Sequence, residues 1–316
     1  MLENLIFSVN SVVPLFMVLA VGYIIRKRGL TDAATNRKMN TVVFSLALPV
    51  MFFRDVSSSS IGDFFDGAFV MYSILTTTLI FVSSFALATA YFKDRKVAGT
   101  FSQACFRSNF AVLSLPLVAH ILGGNDTGVG LLVVIFIIPI YNTFSAIALA
   151  GKGDEKLRGL SGLKIIVKNI FNPLMIGVLI GFVVSLTGIS LPVIVNVPVE
   201  YIARMATPLA LLIIGGSIDF SKMRSRYKPA LVVALVKLVI TPLVFVPPAI
   251  WLGFDSESVL VLYLMYGSPT AIASYALVCN MGGDEELALN ALLFTMVLSM
   301  FSFTIGLFLL RTFGII

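Results

Sequence analysis

Residues 107–116 read Arg107-Ser108-Asn109-Phe110-Ala111-Val112-Leu113-Ser114-Leu115-Pro116, and they interrupt an apolar run in its middle. A second run is interrupted in the same way by Tyr266-Gly267-Ser268-Pro269-Thr270. Proline has no N–H and crowds the preceding turn, yet it suits the first position of a new helix. Ser268 before Pro269 therefore reads as an N-cap opening a second half-helix. Ser114 before Pro116 is a less clean version of the same signal. Paired interruptions of this kind in long apolar helices point to a membrane protein with discontinuous spans, whose half-helix ends lie near the bilayer midplane.

The rest of the chain is of one kind with these two runs. Its 316 residues are 58% hydrophobic and 12% charged, whereas an ordinary soluble domain carries about 25% charged residues. A helix needs about 20 apolar residues to cross the hydrocarbon core. Such stretches recur at 5–25, 38–54, 67–92, 97–122, 128–150, 164–187, 199–218, 229–252, 256–280 and 287–311, and they predict an all-α membrane protein of ten spans. The first stretch lacks a basic leader, carries Glu3 and is too long for a signal-peptide core, so it reads as a span.

Basic residues fall in alternate loops. Arg26, Lys27, Arg28, Arg37 and Lys38 follow span one, Lys93, Arg95 and Lys96 follow span three, Lys152, Lys156, Arg158, Lys164 and Lys168 follow span five, and Lys222, Arg224, Arg226 and Lys228 follow span seven. The opposite loops hold Asp55, Asp63, Asp66, Asp126, Glu200, Asp255 and Glu257. Short basic loops stay in the cytoplasm, so both termini are expected outside a plasma or inner membrane. The net charge of +6 follows from this topology and calls for no nucleic-acid partner.

Shifting the sequence by 159 residues aligns Pro14 with Pro173, Gly22 with Gly181, Gly29 with Gly188, and Pro49 with Pro208. It also aligns Gly123-Gly124-Asn125-Asp126 with Gly282-Gly283-Asp284-Glu285. Each half then holds five spans, and an odd number inserts the second half in the opposite sense. The expected organisation is a first inverted repeat at 1–150, a cytoplasmic linker at 151–163 and a second repeat at 164–316. Inverted repeats give two states of similar energy, which is alternating access.

Unpaired polar atoms cost several kcal/mol in hydrocarbon, so those inside spans are candidates for substrate contact. Asn109, Ser114, Ser268, Thr270 and Ser274 flank the two interruptions, with Pro116, Gly267 and Pro269 shaping them. Half-helix N-termini carry about half a positive charge each and suit a carboxylate. Asn142 reads either as substrate contact or as glue between helices. Lys237, about eight residues into span eight, reads as a substrate contact or as a side chain snorkelling to the interface, and Arg107 is equally open. His120, the single histidine, near the outer end of span four, reads as a capping or interfacial residue, with a proton carrier as the alternative. Cys105 and Cys279 read as small buried hydrophobes; no metal and no cofactor is implied. No Asp or Glu occupies the middle of a span, so coupling to a proton or sodium ion would run through neutral oxygens, Lys237 or the substrate.

The motifs Arg107-Ser108-Asn109 with Leu115-Pro116-Leu117, and Ser268-Pro269-Thr270-Ala271 with Gly282-Gly283-Asp284, resemble the auxin efflux carrier family over essentially the whole chain. Asn172-Pro173-Leu174 and Pro208-Leu209-Ala210-Leu211, ending at Gly215-Gly216, add to the resemblance. It implies a scaffold of spans one, two, six and seven and a moving unit of spans three to five and eight to ten. It also implies that spans four and nine cross at their prolines beside the substrate site, with Asn109 matching the family's binding asparagine. The family includes plant auxin exporters and bacterial carriers of malate and malonate; the short segment Gly151 to Gly162 replaces the long central region of the plant proteins and favours a prokaryote-like carrier. The expectation is an elevator-type secondary transporter of a small organic anion, with a Gly- and Ala-rich scaffold that tolerates homodimer packing. The alternative is a membrane ligand sensor on the same fold without net transport. An enzyme is not expected, since no nucleophile–base pair or metal-ligand spacing occurs within the spans.

Overall fold

A computed structural model describes residues 1–58, 65–123, 128–150, 173–189, 191–218 and 226–316. The expected linker at 151–163, the start of span six with Asn172, and Gly124, Asn125 and Asp126 of the repeated motif lie outside the described residues. So do Asp63, Lys152, Lys156, Arg158, Lys164, Lys168, Lys222 and Arg224.

The described residues form twelve helices: α1 Leu2–Lys27, α2 Ala33–Ser57, α3 Gly67–Tyr91, α4 Arg95–Phe106, α5 Phe110–Ile121, α6 Gly128–Leu149, α7 Pro173–Thr187, α8 Val193–Ser217, α9 Tyr227–Trp251, α10 Ser256–Gly267, α11 Ile272–Met281 and α12 Glu285–Thr312. Seven of them, α1, α2, α3, α6, α8, α9 and α12, are long and apolar enough to cross a membrane. At about 1.5 Å per residue, the 25 residues of α3 exceed the roughly 30 Å of a hydrocarbon core. The expected spans four and nine are each two shorter helices, α4 with α5 and α10 with α11.

Four helices contain one wide turn, in which an N–H bonds the carbonyl five residues back: Leu48 to Val43 in α2, Leu115 to Phe110 in α5, Ile138 to Val133 in α6 and Thr241 to Val236 in α9. A proline comes directly after each, at Pro49, Pro116, Pro139 and Pro242. The ring removes one donor and crowds the turn before it, and the helix relieves both by widening that turn without breaking. Pro116 therefore lies inside a continuous helix, contrary to the expectation that it opens one.

Helix contact is closest where glycines remove the side chain between two backbones. Gly22 of α1 packs on the Leu212 carbonyl of α8, and Gly215 of α8 packs on the Leu19 carbonyl of α1. Gly177 and Gly181 of α7 pack likewise on the Pro49 and Phe53 carbonyls of α2. Small residues permit such approach, and dispersion then drives association within lipid. The Gly22–Leu212 contact and the Gly181–Phe53 contact are related residue for residue by the 159-residue offset. The same offset relates Gly29 to Gly188 and Gly123 to Gly282, all four of which adopt positive φ.

Both termini lie at one end of the molecule. Asn4 Nδ2 donates to Thr312 Oγ1 at 3.3 Å, and the Arg311 guanidinium stacks over Phe7 at 3.9 Å. At the end of α11, Asp284 accepts from the Leu287 N–H at 2.8 Å, pairs with Arg226 at 3.2 Å, and donates its own N–H to Thr100 Oγ1 at 3.0 Å. The carboxylate joins the starts of α9 and α12, and the backbone N–H adds α4.

Candidate functional site

The first helical interruption spans residues 107–109 and the second spans 268–271. The two breaks face each other. Ser108 and Thr270 form an antiparallel bridge, and the Asn109 N–H donates to the Pro269 carbonyl at 2.9 Å. Non-helical backbone at membrane depth persists only where protein satisfies it, and here each break supplies polar partners to the other. The meeting point involves Pro269 but not Pro116, which lies one wide turn into α5.

This geometry corrects both N-cap readings. Ser268 caps the C-terminus of α10 in an extended conformation (φ −67°, ψ 145°), and α11 begins only at Ile272 after Ala271. Residues 268–271 are held extended by the bridge to Ser108 and by the Thr270 N–H, which donates to Thr295 Oγ1 at 3.1 Å. Ser114 makes no capping bond; Asn109 is the residue that precedes α5. Gly267 ends α10 with only ordinary contacts around the place a Cβ would take, the nearest being Pro242 Cγ at 3.4 Å.

The polar candidates divide into two groups. Ser114 Oγ donates to the Leu264 carbonyl at 3.0 Å, and Thr270 Oγ1 donates to the Ala104 carbonyl at 2.9 Å, so both hydroxyls hold the crossing together. Asn109, Ser268 and Ser274 are buried, and Asn109 Nδ2, Ser268 Oγ and Ser274 Oγ have no hydrogen-bond partner among the described residues. A buried donor without a partner costs about 1–3 kcal/mol, so three of them around one crossing form a site with polar capacity to offer.

Arg107 resolves differently from the snorkelling alternative. Its side chain is 8% exposed; Nη2 donates to Asn142 Oδ1 at 2.8 Å and Nη1 to Ser145 Oγ at 3.2 Å. Asn142 is thus joined to the first break through the guanidinium. Lys237 is also buried, at 1% exposed, but its ionisable neighbour is Cys105 and it does not line the cleft described next. His120 is exposed in the last turn of α5, away from the crossing. Among the described residues, no cluster of His, Cys, Asp or Glu could hold a metal ion.

A cleft of about 320 Å³ adjoins the first break. Arg107 and Asn142 line it together with Ala273 and Asn280 of α11, Phe44 and Ser45 of α2, and Pro173 and Leu174 of α7. A second groove, between α2 and α7, is lined by Pro49, Phe53, Ile176 and Ile180 and carries no charged group. Sequence reasoning left Arg107 undecided and did not single out Ser145. The usable signal was position: a cation at the first residue of a helix break, in a chain with no mid-span carboxylate to pair it.

A family described as membrane transport protein matches residues 7–307. The chain belongs to this family of membrane transporters. Its members include the auxin efflux carriers that the motifs resemble, and the chain is a transporter, not an enzyme. It is 22% identical over 298 residues to an "Uncharacterized transporter" of Methanothermobacter thermautotrophicus, covering 93% of this chain and 96% of that one. It is 23% identical over 305 residues to a "Putative malonate transporter" of Rhizobium meliloti, covering 95% of each.

Proposed function

We propose that this transporter carries a small organic anion, of the malonate or malate type, by elevator-type alternating access through the crossing of the two broken helices. The observation that carries the reading is the crossing itself: Asn109, Ser268 and Ser274 present unpartnered polar atoms inside an apolar protein, beside a cleft that holds a buried guanidinium. Nothing in hydrocarbon packing calls for such groups, whereas a carboxylate would satisfy them. The N-termini of α5 and α11 point their partial positive charges at the same place.

The architecture supports the transport mode. The cleft has α2 and α7 on one side and α6, α11 and Arg107 on the other, so it lies between the helices read as scaffold and those read as moving unit. The offset-related pairs of glycine contacts and positive-φ glycines support two five-span repeats of opposite sense. Each half then reproduces the other's state. The cleft runs along α11 toward the end where Asp284 pairs with Arg226, the end bearing the basic residues. By the charge rule that end is cytoplasmic, so the cleft opens inward and the termini lie outside.

Uptake or efflux of labelled malonate in proteoliposomes tests the reading. Wild type should transport, and Asn109→Ala should lose most of the flux while remaining folded. Equal transport by the two proteins would remove Asn109 from the site.

A further inference from the structure

Resting on the organic-anion reading above, we infer that Arg107 determines substrate class: its guanidinium holds one carboxylate of a two-headed anion while the crossing holds the other, so the carrier selects dicarboxylates over monocarboxylates.

The case begins with what the guanidinium lacks. A buried cation is costly unless charge or abundant hydrogen bonding compensates it. Arg107 is more than nine-tenths buried, and the partners it has are two neutral oxygens, Asn142 Oδ1 and Ser145 Oγ. No carboxylate pairs with it among the described residues. A guanidinium carries five N–H donors in a planar fork, so two hydrogen bonds leave most of that capacity unused and the full charge unneutralised. Arg107 is itself one of the cleft's lining residues, so a ligand there has a route to the unused capacity.

Position supplies the second half. Arg107 is two residues before Asn109, whose Nδ2 is also buried and unpartnered. Ser108 between them is extended, in its antiparallel bridge to Thr270, so those two Cα atoms are about 6–7 Å apart, a separation that a short diacid can bridge between the two side chains. The charge balance agrees. The N-termini of α5 and α11 contribute about half a positive charge each, and Arg107 adds a whole one. A dianion neutralises that set, whereas a monoanion leaves Arg107 unpaired. Asn142 and Ser145 then act as positioning residues that fix the fork.

Malonate and its half-amide malonamate have nearly the same size and differ by one carboxylate, so they isolate the effect. Purified protein in proteoliposomes, wild type and Arg107→Gln and Arg107→Lys, is assayed for uptake of both, with thermal melting in detergent as the folding check. Wild type should prefer malonate at least tenfold. Arg107→Gln should lose that preference because its KM for malonate rises much more than its KM for malonamate, and Arg107→Lys should recover part of it. The inference is overturned if wild type takes up both equally, if folded Arg107→Gln retains the preference, or if it loses both substrates in parallel. A wild type that moves neither compound, nor any other organic anion, overturns the anion-carrier reading as well, and so is told apart from a working carrier indifferent to Arg107.

Discussion

Replacing Thr270 by Val removes one hydroxyl and preserves shape, which makes it a clean perturbation of the crossing. That hydroxyl donates to the Ala104 carbonyl at 2.9 Å and is fully buried. Ala104 lies in the last turn of α4, where carbonyls have no intrahelical partner because the helix stops at Phe106. Interhelical side-chain hydrogen bonds in membrane proteins average about 0.6 kcal/mol with a maximum near 1.7, whereas leaving a buried acceptor unsatisfied costs about 1–3 kcal/mol. The orphaned carbonyl here lies in the buried last turn of a helix, so the upper part of the first range applies, about 1.5 kcal/mol. At about 2.1 cal/mol/K of unfolding entropy per residue, a chain of 316 residues should see its melting temperature in detergent fall by about 2 °C. Thr270→Ser keeps the donor and loses only a methyl group, and should melt closer to wild type than Thr270→Val does. Flux should follow the same order, because the bond holds the two breaks in register. If Thr270→Val melts and transports as wild type, or if Thr270→Ser is the worse of the pair, the hydroxyl does not hold the crossing and the argument fails.

Other outcomes follow from the same geometry. Ser114→Ala loses a bond to the Leu264 carbonyl and should destabilise by about 1 kcal/mol with KM unchanged; Ser268→Ala, whose hydroxyl has no partner among the described residues, should leave melting intact and raise KM for the transported anion. Gly22→Ala and Gly181→Ala each drive a Cβ into a facing backbone carbonyl and should both destabilise by about 1–2 kcal/mol after a helix-propensity gain of up to about 1. Gly67→Ala, which meets only a Phe65 ring atom at 3.9 Å, should melt within about 0.5 kcal/mol of wild type; parity of all three variants would refute the close-packed seams. Cys279 is partly exposed and Cys105 buried, so a membrane-permeant maleimide should label intact cells at Cys279 in preference to Cys105. An impermeant one should not label Cys279, and if it does, the assigned orientation is reversed.

Much of the architecture was readable because hydrocarbon imposes a length on every helix. The expected spans at 67–92, 128–150 and 287–311 agree within two residues with Gly67–Tyr91, Gly128–Leu149 and Glu285–Thr312. The interruptions were readable for a related reason, since Ser, Asn and Pro within an apolar run conflict with a continuous helix. What failed was the rule that a proline opens a new helix. Ser114 reads as the N-cap from sequence, the position that Asn109 holds, because a wide turn absorbs Pro116 without breaking the helix and no local pattern distinguishes that from a break. The site suffered the same ambiguity: Ser114, Thr270, Asn109 and Ser268 are alike on paper, and only their partners separate two structural clasps from two open groups.

Composition and periodicity alone therefore established a multi-span helical membrane protein with two interrupted spans, because burial in lipid is a property of each segment taken singly. The family motifs, read along the chain, added the transporter class. Which break residues have a partner, whether Arg107 reaches the interface or stays buried beside Asn142, and which helices wall the cleft were decided by the tertiary structure. Those facts depend on atoms that are distant in sequence: Thr270 finds Ala104, Ser114 finds Leu264 and Asn109 finds Pro269. A side chain's chemistry in a membrane is set by the partner it meets, and that partner is chosen only when the helices pack.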